Sequence, residues 1–192
     1  MKNAKKVLLL VLCAVLLVGA SVAGTVAYLT SEDTVTNTFT VGKVIISLDE
    51  YVINDDGTAD ETQTTKEQEE ILLVPGRTIE KHAFITVDPD SEDCWLFVKI
   101  ENGLEAAGDL LITADWTAVG GHDGYYMYND KATAESDTID VFTAFECSKE
   151  ISATDIAAYE DKQIIVTAYA VQAEGIDKAD AWTALDLHYE LN

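Results

Sequence analysis

Short segments of alternating apolar and polar residues, separated by turn-forming residues, run through most of the 192-residue chain. The alternation is clearest from Cys94 to Glu101, where Trp95, Phe97 and Lys99 share one predicted face of a strand. β-Branched and aromatic residues are frequent in these segments, and clusters of Gly, Asp and Pro lie between them, as is typical of short antiparallel strands. The strands are predicted in residues 38–48, 78–87, 94–101, 110–117, 125–128, 138–147 and 163–173.

Two further segments have a helical rather than an alternating pattern. Ser152 precedes Asp155 by three residues, which predicts a helix N-cap, and residues 176–185 predict one or two more helical turns. Residues 187–191 are predicted to form a closing strand, whereas the acidic residues 54–70 have no apolar period and are predicted to form a surface loop. This inventory predicts an all-β antiparallel sandwich or barrel with one or two short helices.

The N-terminal residues do not follow this alternating pattern, and they predict an export signal. Lys2, Lys5 and Lys6 precede an uncharged run, residues 7–27, that is long enough to cross a bilayer core as a helix. Small residues crowd the outer end of the run, and residues 25–27 fit a signal peptidase that cuts between Ala27 and Tyr28. A cut after residue 23 and a retained membrane anchor are the alternatives. We therefore predict a signal peptide in 1–27 and one β-sandwich domain in 28–192.

Five short motifs carry a resemblance to a known family. They are GTVAYLT at 24–30, NTFTVGKV at 37–44, VPGR at 74–77 followed by Lys81, GYYMYN at 124–129 followed by TIDVF at 138–142, and YAVQAEG at 169–175. In this order and spacing the set resembles the TasA/camelysin family of bacterial exported proteins, whose signals are similar to those cut by the signal peptidase SipW. The resemblance covers most of the chain.

The resemblance implies a jelly-roll-type sandwich, preceded by a signal helix, in a secreted protein of the biofilm matrix or cell surface that forms fibres. A physical route to fibres is an N-terminal strand that pairs with the open sheet edge of a neighbouring copy. We expect residues 28–48 to supply it after a polar hinge in 30–37. The alternative is an ordinary first strand of its own domain. The predicted donor residues are Thr38, Phe39, Val41, Val44, Ile46 and Leu48.

Charge limits the classes of partner. The net charge of −23 argues against nucleic acid, because phosphate contacts need lysine and arginine, and it leaves the signal segment as the only expected membrane contact. Two acidic stretches, 54–61 and 88–93, offer oxygen ligands for calcium. The first fails the EF-hand pattern, since Val52 and Gln63 stand where acidic ligands are required. A solvated acidic surface is the favoured interpretation of both stretches, so no cofactor is assigned.

The residues that could support catalysis are few and scattered. His82, His122 and His188 do not form the HExxH motif of zinc peptidases, and no G-x-S-x-G motif is present. Cys94 and Cys147 lie in apolar strand-like runs, where buried free thiols are favoured over a disulfide. No catalytic or metal-binding residue is assigned. A camelysin-type metalloendopeptidase remains an alternative that rests on the resemblance alone.

Aromatic residues are concentrated in the predicted strands and near the C-terminus. Packing between two sheets is the favoured interpretation, because large rings supply most of the buried area in such cores. The alternative is a surface adhesin that binds glycans through exposed rings, with Trp95 or Trp116 as the candidates.

Overall fold

A computed structural model describes residues 6, 43–67, 72–136, 138–159 and 161–191. The chain divides into two units, Met1–Thr40 and Val41–Asn192, and only Lys6 of the first unit is among the described residues. The predicted signal segment and its cleavage site at Ala27 and Tyr28 lie outside them, as do the predicted donor residues Thr38, Phe39 and Val41.

The described part of the second unit is built mainly from ten strands. They are β1 (Ile46–Ile53), β2 (Ala59–Thr65), β3 (Thr78–Ile79), β4 (Ala83–Val87), β5 (Cys94–Asn102), β6 (Gly108–Ile112), β7 (Trp116–Ala118), β8 (Tyr125–Tyr128), β9 (Ile139–Cys147) and β10 (Ile164–Gln172). Two α-helices, α1 (Ala153–Ile156) and α2 (Ala181–Tyr189), adjoin short 3₁₀ turns at Ala157–Tyr159 and Lys178–Asp180.

The strands form two antiparallel sheets. In the first sheet β2, β1, β4 and β9 are neighbours in that order, and β9 also pairs with β3 and with β6. In the second sheet the order is β10, β5, β8, β7. The prediction of an all-β antiparallel fold is confirmed, and the sheets do not close into a barrel.

The main core lies between the two sheets. It combines side chains of β4 and β9 from the first sheet with side chains of β5 from the second, and β1 and β10 add half-buried apolar residues. Strand alternation explains this, because every second residue of each strand faces the opposite sheet. The buried residues of this cluster are Ala83, Ile85, Val87, Cys94, Leu96, Val98, Ile100, Trp116, Ala132, Ile139, Val141 and Phe142.

Five predicted segments differ in the structure. The strand predicted at 38–48 is present among the described residues only from Ile46, and it continues to Ile53. The acidic stretch predicted as a loop holds β2, which forms a hairpin with β1. Residues 110–117 are split between β6 and β7, because the chain crosses from one sheet to the other at 113–115. Residues 78–87 form two strands interrupted at 80–82. The predicted closing strand at 187–191 is helical as far as Tyr189.

Two local predictions are confirmed. Ser152 caps α1, since its hydroxyl accepts a hydrogen bond from the Asp155 N–H, and the Gly-rich turn at 120–124 joins β7 to β8 in a hairpin. The longer helix α2 packs on the outer face of the second sheet, with Ala181 and Leu185 buried against Phe97. Within the described ranges, no helix is both long and apolar enough to cross a membrane.

Candidate functional site

Among the described residues five strands pair with a single neighbour, and they differ in length and charge: β2, β3, β6, β7 and β10. β3 has only two residues. β6 has five residues and β7 has three. β2 is longer but carries Asp60 and Glu61 and is irregularly paired with β1. β10 has nine residues, IIVTAYAVQ, and none of them is charged. In the described part of the chain β10 pairs with β5 alone, which leaves its other edge unpaired.

An edge of this kind is unusual in a soluble protein. Natural sheets protect their edges with short strands, charged side chains, bulges or covering segments, because an unprotected edge pairs with other chains. β2, β6 and β7 each show one of these features, whereas β10 shows none within the part of the chain that the structure describes. Ile165, the second residue of this strand, is 48% exposed. β10 is therefore the edge best suited to accept another strand.

A groove runs beside the edge of β10, in the space between it and β1. Its volume is about 1240 Å³. Ile46 and Leu48 line it from β1, and Ile164, Val166 and Ala168 line it from β10. All five are half-buried apolar residues that also pack on the main core. The groove thus exposes the interior of the sandwich along the edge that lacks a partner strand.

Two ion pairs lie among the residues that line this groove: Lys66–Asp49, whose lysine is 68% exposed, and the buried pair Lys81–Glu50. Glu50 follows Leu48 on the inward face of β1, and Lys81 lies in the break between β3 and β4. The Lys81 Nζ donates to the Glu50 Oε2 at 2.5 Å, and Lys81 is only 9% exposed, the one charged or polar residue among the buried side chains that the structure describes. Each charge depends on the other, since a single buried charge without its partner is strongly destabilising.

The opposite side of the sandwich is closed by the chain itself. Residues 113–115 pass from β6 in the first sheet to β7 in the second. The Thr113 hydroxyl and the Trp116 indole N–H both donate to the Asp140 carbonyl oxygen, at 3.0 and 2.9 Å. Trp116 is 6% exposed and belongs to the main core. No strand is needed to complete this side.

The tryptophans predicted as glycan contacts serve the fold instead. Trp116 is buried as described, and the Trp95 indole N–H donates to the Ile176 carbonyl oxygen at 2.8 Å, which ties the segment before α2 to the second sheet. Phe97, Phe142 and Phe145 are buried, so the prediction that rings pack in the core is confirmed for them and for Trp116. Trp116 therefore offers no exposed ring face to a glycan, whereas Trp95 is half-buried and packs on the cluster around Phe97.

The histidines contact rings in three separate places. His82 lies 5.9 Å from the Tyr51 ring, His122 lies 4.3 Å from Trp182, and His188 lies 4.6 Å from Tyr189. Across the described ranges, no three His, Cys, Asp or Glu side chains are grouped closely enough to hold a metal ion.

The two cysteines of the domain are free and buried, as the sequence favoured. They belong to different apolar clusters, Cys94 to the main core and Cys147 to a smaller cluster around Phe145. Burial, assisted by the Asp93 carboxylate, raises the pKa of the Cys94 thiol to about 11. At neutral pH this thiol is therefore protonated and a poor nucleophile.

The acidic stretches use their carboxylates to hold turns. Asp56 accepts hydrogen bonds from the Thr58 hydroxyl at 2.6 Å and from the Thr58 N–H at 3.0 Å, in the turn between β1 and β2. These bonds lower the pKa of Asp56, and equivalent bonds from Thr62 lower the pKa of Asp60. In the second stretch Asp93 forms an ion pair with Lys131 at 2.6 Å. Both stretches thus have a structural use that needs no cation.

Some of the predicted donor residues lie outside the described residues, and the other three can be placed in the structure. Ile46 and Leu48 lie in β1 and pair with β4 of their own sheet, and Val44 packs on the same core. Ile46 and Leu48 thus lie in a strand of their own domain, and Val44 precedes the first residue of that strand. Sequence reasoning missed β10 as an edge and the Lys81–Glu50 pair. The uncharged run between Lys162 and Glu174 was the available signal for the first.

Comparison with known proteins adds no assignment, since no family model, curated protein or solved structure matches the chain.

Proposed function

We propose that the chain is an exported structural protein of the extracellular matrix or cell surface. Its fibres form when the N-terminal segment of one copy pairs with β10 of the next copy and fills the adjacent groove. The observation that carries the proposal is the nine-residue uncharged edge of β10 beside an apolar groove. The jelly-roll connectivity, the signal helix and cleavage by a SipW-type peptidase, all implied by the resemblance to the TasA/camelysin family, belong to the same proposal.

The donated segment in this proposal is residues 28–42, which lie between the predicted cleavage site and the first described residue of the domain. Fifteen residues reach about 50 Å when extended, and a nine-residue strand is about 30 Å long, so the segment is long enough to cover β10. Residues 34–41 read TVTNTFTV, without a charge and rich in β-branched residues, as expected of a strand that pairs with an uncharged edge. In this proposal the donated strand therefore begins at 34, within the stretch 30–37 that the sequence pattern predicts as a polar hinge.

The start of β1 favours donation to a neighbour over insertion into the same molecule. The Glu92 N–H donates to the Lys43 carbonyl oxygen at 3.0 Å, and the Ile45 N–H donates to the Ser91 hydroxyl at 2.9 Å. These bonds hold the entrance to β1, and β1 itself lines the groove. To enter its own groove, the preceding segment would have to reverse direction immediately before Lys43. A neighbour's segment needs no such reversal, and repeated donation gives a head-to-tail filament that does not close.

The net charge of −23 sets the conditions for assembly. Copies that carry this charge repel one another, and the repulsion weakens when calcium binds diffusely to the acidic surface or when mild acid protonates part of it. Filaments are therefore expected at mildly acid pH or with calcium before they form in a neutral low-salt buffer.

Electron microscopy and sedimentation of the chain from Tyr28 onward, with and without calcium and from neutral to mildly acid pH, test the proposal. Filaments are expected in the intact chain, and a chain that also lacks residues 28–42 should remain monomeric. Filaments of undiminished length from the shortened chain would refute strand donation. A monomer under every condition would refute self-assembly itself.

A matched pair of surface variants tests the role of β10. Ile165→Lys places a charge on the exposed face of this edge strand, whereas Leu187→Lys places the same charge on α2 at a residue that is 79% exposed. Both variants change the net charge equally. Assembly should fail only for Ile165→Lys, because a lysine on a strand edge opposes pairing with a further strand. Equal effects of the two variants would argue against β10 as the acceptor.

The alternatives are tested on the same preparations. Zinc in stoichiometric amount together with caseinolytic activity would favour the metalloendopeptidase, and saturable glycan binding by the monomer would favour the adhesin. The described residues supply no histidine cluster for the first, and Trp116, one of the two ring candidates for the second, is buried.

A further inference from the structure

The Lys81–Glu50 pair is the more buried of the two ion pairs that line its groove, because Lys66 of the other pair is 68% exposed. Leu48 and Ile164 also line the groove, and the neighbouring cluster contains Ile79 and Phe145. A buried ion pair adds little net stability compared with apolar residues of similar volume, and its best-attested role is to specify register. A groove that only needed to attract an apolar strand would gain nothing from this pair.

The pair also has hydrogen-bonding capacity that its own contact does not use. A lysine ammonium carries three donors, and a carboxylate accepts at several lone pairs. Among the described residues, the bond between the two head groups is the one side-chain hydrogen bond that either of them makes. A strand in the groove would cover both groups. It would then have to supply a polar partner at that position or leave the remaining donors and acceptors without water.

The proposed donor has one residue of the required kind. In residues 34–41 the even positions are all threonine, and the odd positions are Val35, Asn37, Phe39 and Val41. Because alternate residues of a strand face opposite sides, the odd positions form an apolar face that is interrupted by one carboxamide. A carboxamide has both an acceptor oxygen for Lys81 and donor hydrogens for Glu50.

We infer, on the basis of the proposed function, that Asn37 of the donated strand pairs with Lys81 and Glu50 of the accepting copy and so fixes the register of insertion. A shift of the strand by two residues keeps the apolar face inward but places Val35 or Phe39 over the ion pair. The pair therefore penalises the shifted registers more than it stabilises the correct one, which is how polar groups in apolar interfaces confer specificity.

A mutant cycle on the chain from Tyr28 onward tests this inference, with the critical concentration for assembly measured by sedimentation. Asn37→Val should raise the critical concentration about tenfold, since a hydrogen bond to a charged group is lost and the charges stay buried. In a Glu50→Leu/Lys81→Met background the same change should have no effect or should lower the critical concentration. An equal increase in both backgrounds would overturn the inference.

A control with matched composition leaves the groove intact. The Val35→Asn/Asn37→Val variant keeps the residues of the donor but moves the carboxamide by two positions, and it should assemble in a shifted register or at a higher critical concentration. Unchanged assembly and register in this variant, with register measured by cross-linking mass spectrometry, would overturn the inference even if the Glu50→Leu/Lys81→Met chain failed to fold.

The two proposals fail in different ways. If strand donation holds but the register is set elsewhere, the intact chain assembles, deletion of 28–42 abolishes assembly, and Asn37→Val behaves like the unaltered chain. If strand donation is wrong, deletion of 28–42 leaves assembly unchanged, or the intact chain never assembles.

Discussion

The two lateral sides of this sandwich are completed in different ways. On one side the chain passes directly from β6 to β7, and Trp116 and Thr113 converge on the Asp140 carbonyl oxygen. On the other side β1 and β10 border a groove of about 1240 Å³, and β10 has no partner strand beyond β5 among the described residues. The first side is joined by the chain itself, whereas the second retains an unpaired edge beside a groove that is partly apolar.

This difference shows that an unpaired strand edge can be a functional feature of a fold and need not be a structural defect. The same chain protects β2 with acidic residues and keeps β6 and β7 short. β10 is longer and carries no charge, and in the proposed fibre it is the edge that accepts a further strand.

The largest expected loss of stability comes from a substitution on the closed side of the sandwich. Trp116→Ala removes a ring that is 6% exposed together with its bond to Asp140, and we expect the free energy of unfolding to fall by about 3–5 kcal/mol. Urea denaturation measures this change. Trp116→Phe is the control, because it keeps most of the buried area and should cost clearly less. Equal losses for the two variants would mean that the hydrogen bond, and not the packing, holds this side together.

The next effect concerns the ion pair on the open side. Lys81→Met leaves the Glu50 carboxylate without its partner and should destabilise the monomer by about 2–3 kcal/mol, less than a fully buried pair would lose because both side chains keep some exposure. Glu50→Leu/Lys81→Met removes both charges and should restore most of that loss in thermal unfolding. A double variant that is less stable than the single variant would show that the pair supports the monomer rather than a partner strand.

The smallest effect concerns the hairpin next to the groove. The Thr58 hydroxyl and N–H lower the pKa of Asp56 below its ordinary value of 3.8. A lowered pKa contributes stability that is present above 3.8 and is lost as the pH falls through the folded-state pKa. Asp56→Asn should therefore change the pH dependence of thermal unfolding only below about pH 4. A change near pH 5 would indicate that mild acid loosens the hairpin, so that acid-induced assembly would have a second cause.

The sequence predicted the parts of the fold that depend on local pattern. β5, β9 and β10 were placed to within a residue or two, because their runs end at turn residues and their alternating side chains face a single core. The Ser152 cap and the hairpin at 120–124 follow from equally local chemistry. Local pattern did not show that residues 59–65 form a strand, because β2 is held by pairing with β1 rather than by apolar side chains of its own.

The candidate site was predictable only in part, for a related reason. Whether a strand is central or at an edge depends on which other strands lie beside it, and the composition of β10 alone does not determine that. Lys81 was noted as part of a motif, yet its meeting with Glu50 depends on the break between β3 and β4, which interrupts an otherwise regular alternating run. The predicted donor residues Ile46 and Leu48 proved to belong to β1, since an alternating apolar run suits a strand in its own sheet as well as one that is donated.

The length of β10 also has a mechanical consequence for the proposed fibre. A strand donated along nine residues of an edge would be held by a row of hydrogen bonds perpendicular to the strand. A pull along the strand would load the whole row in shear, so the bonds would have to break together, whereas a pull across it would open them one after another. Such a fibre would resist stretching far better than peeling, and optical-trap measurements along the two directions would differ accordingly.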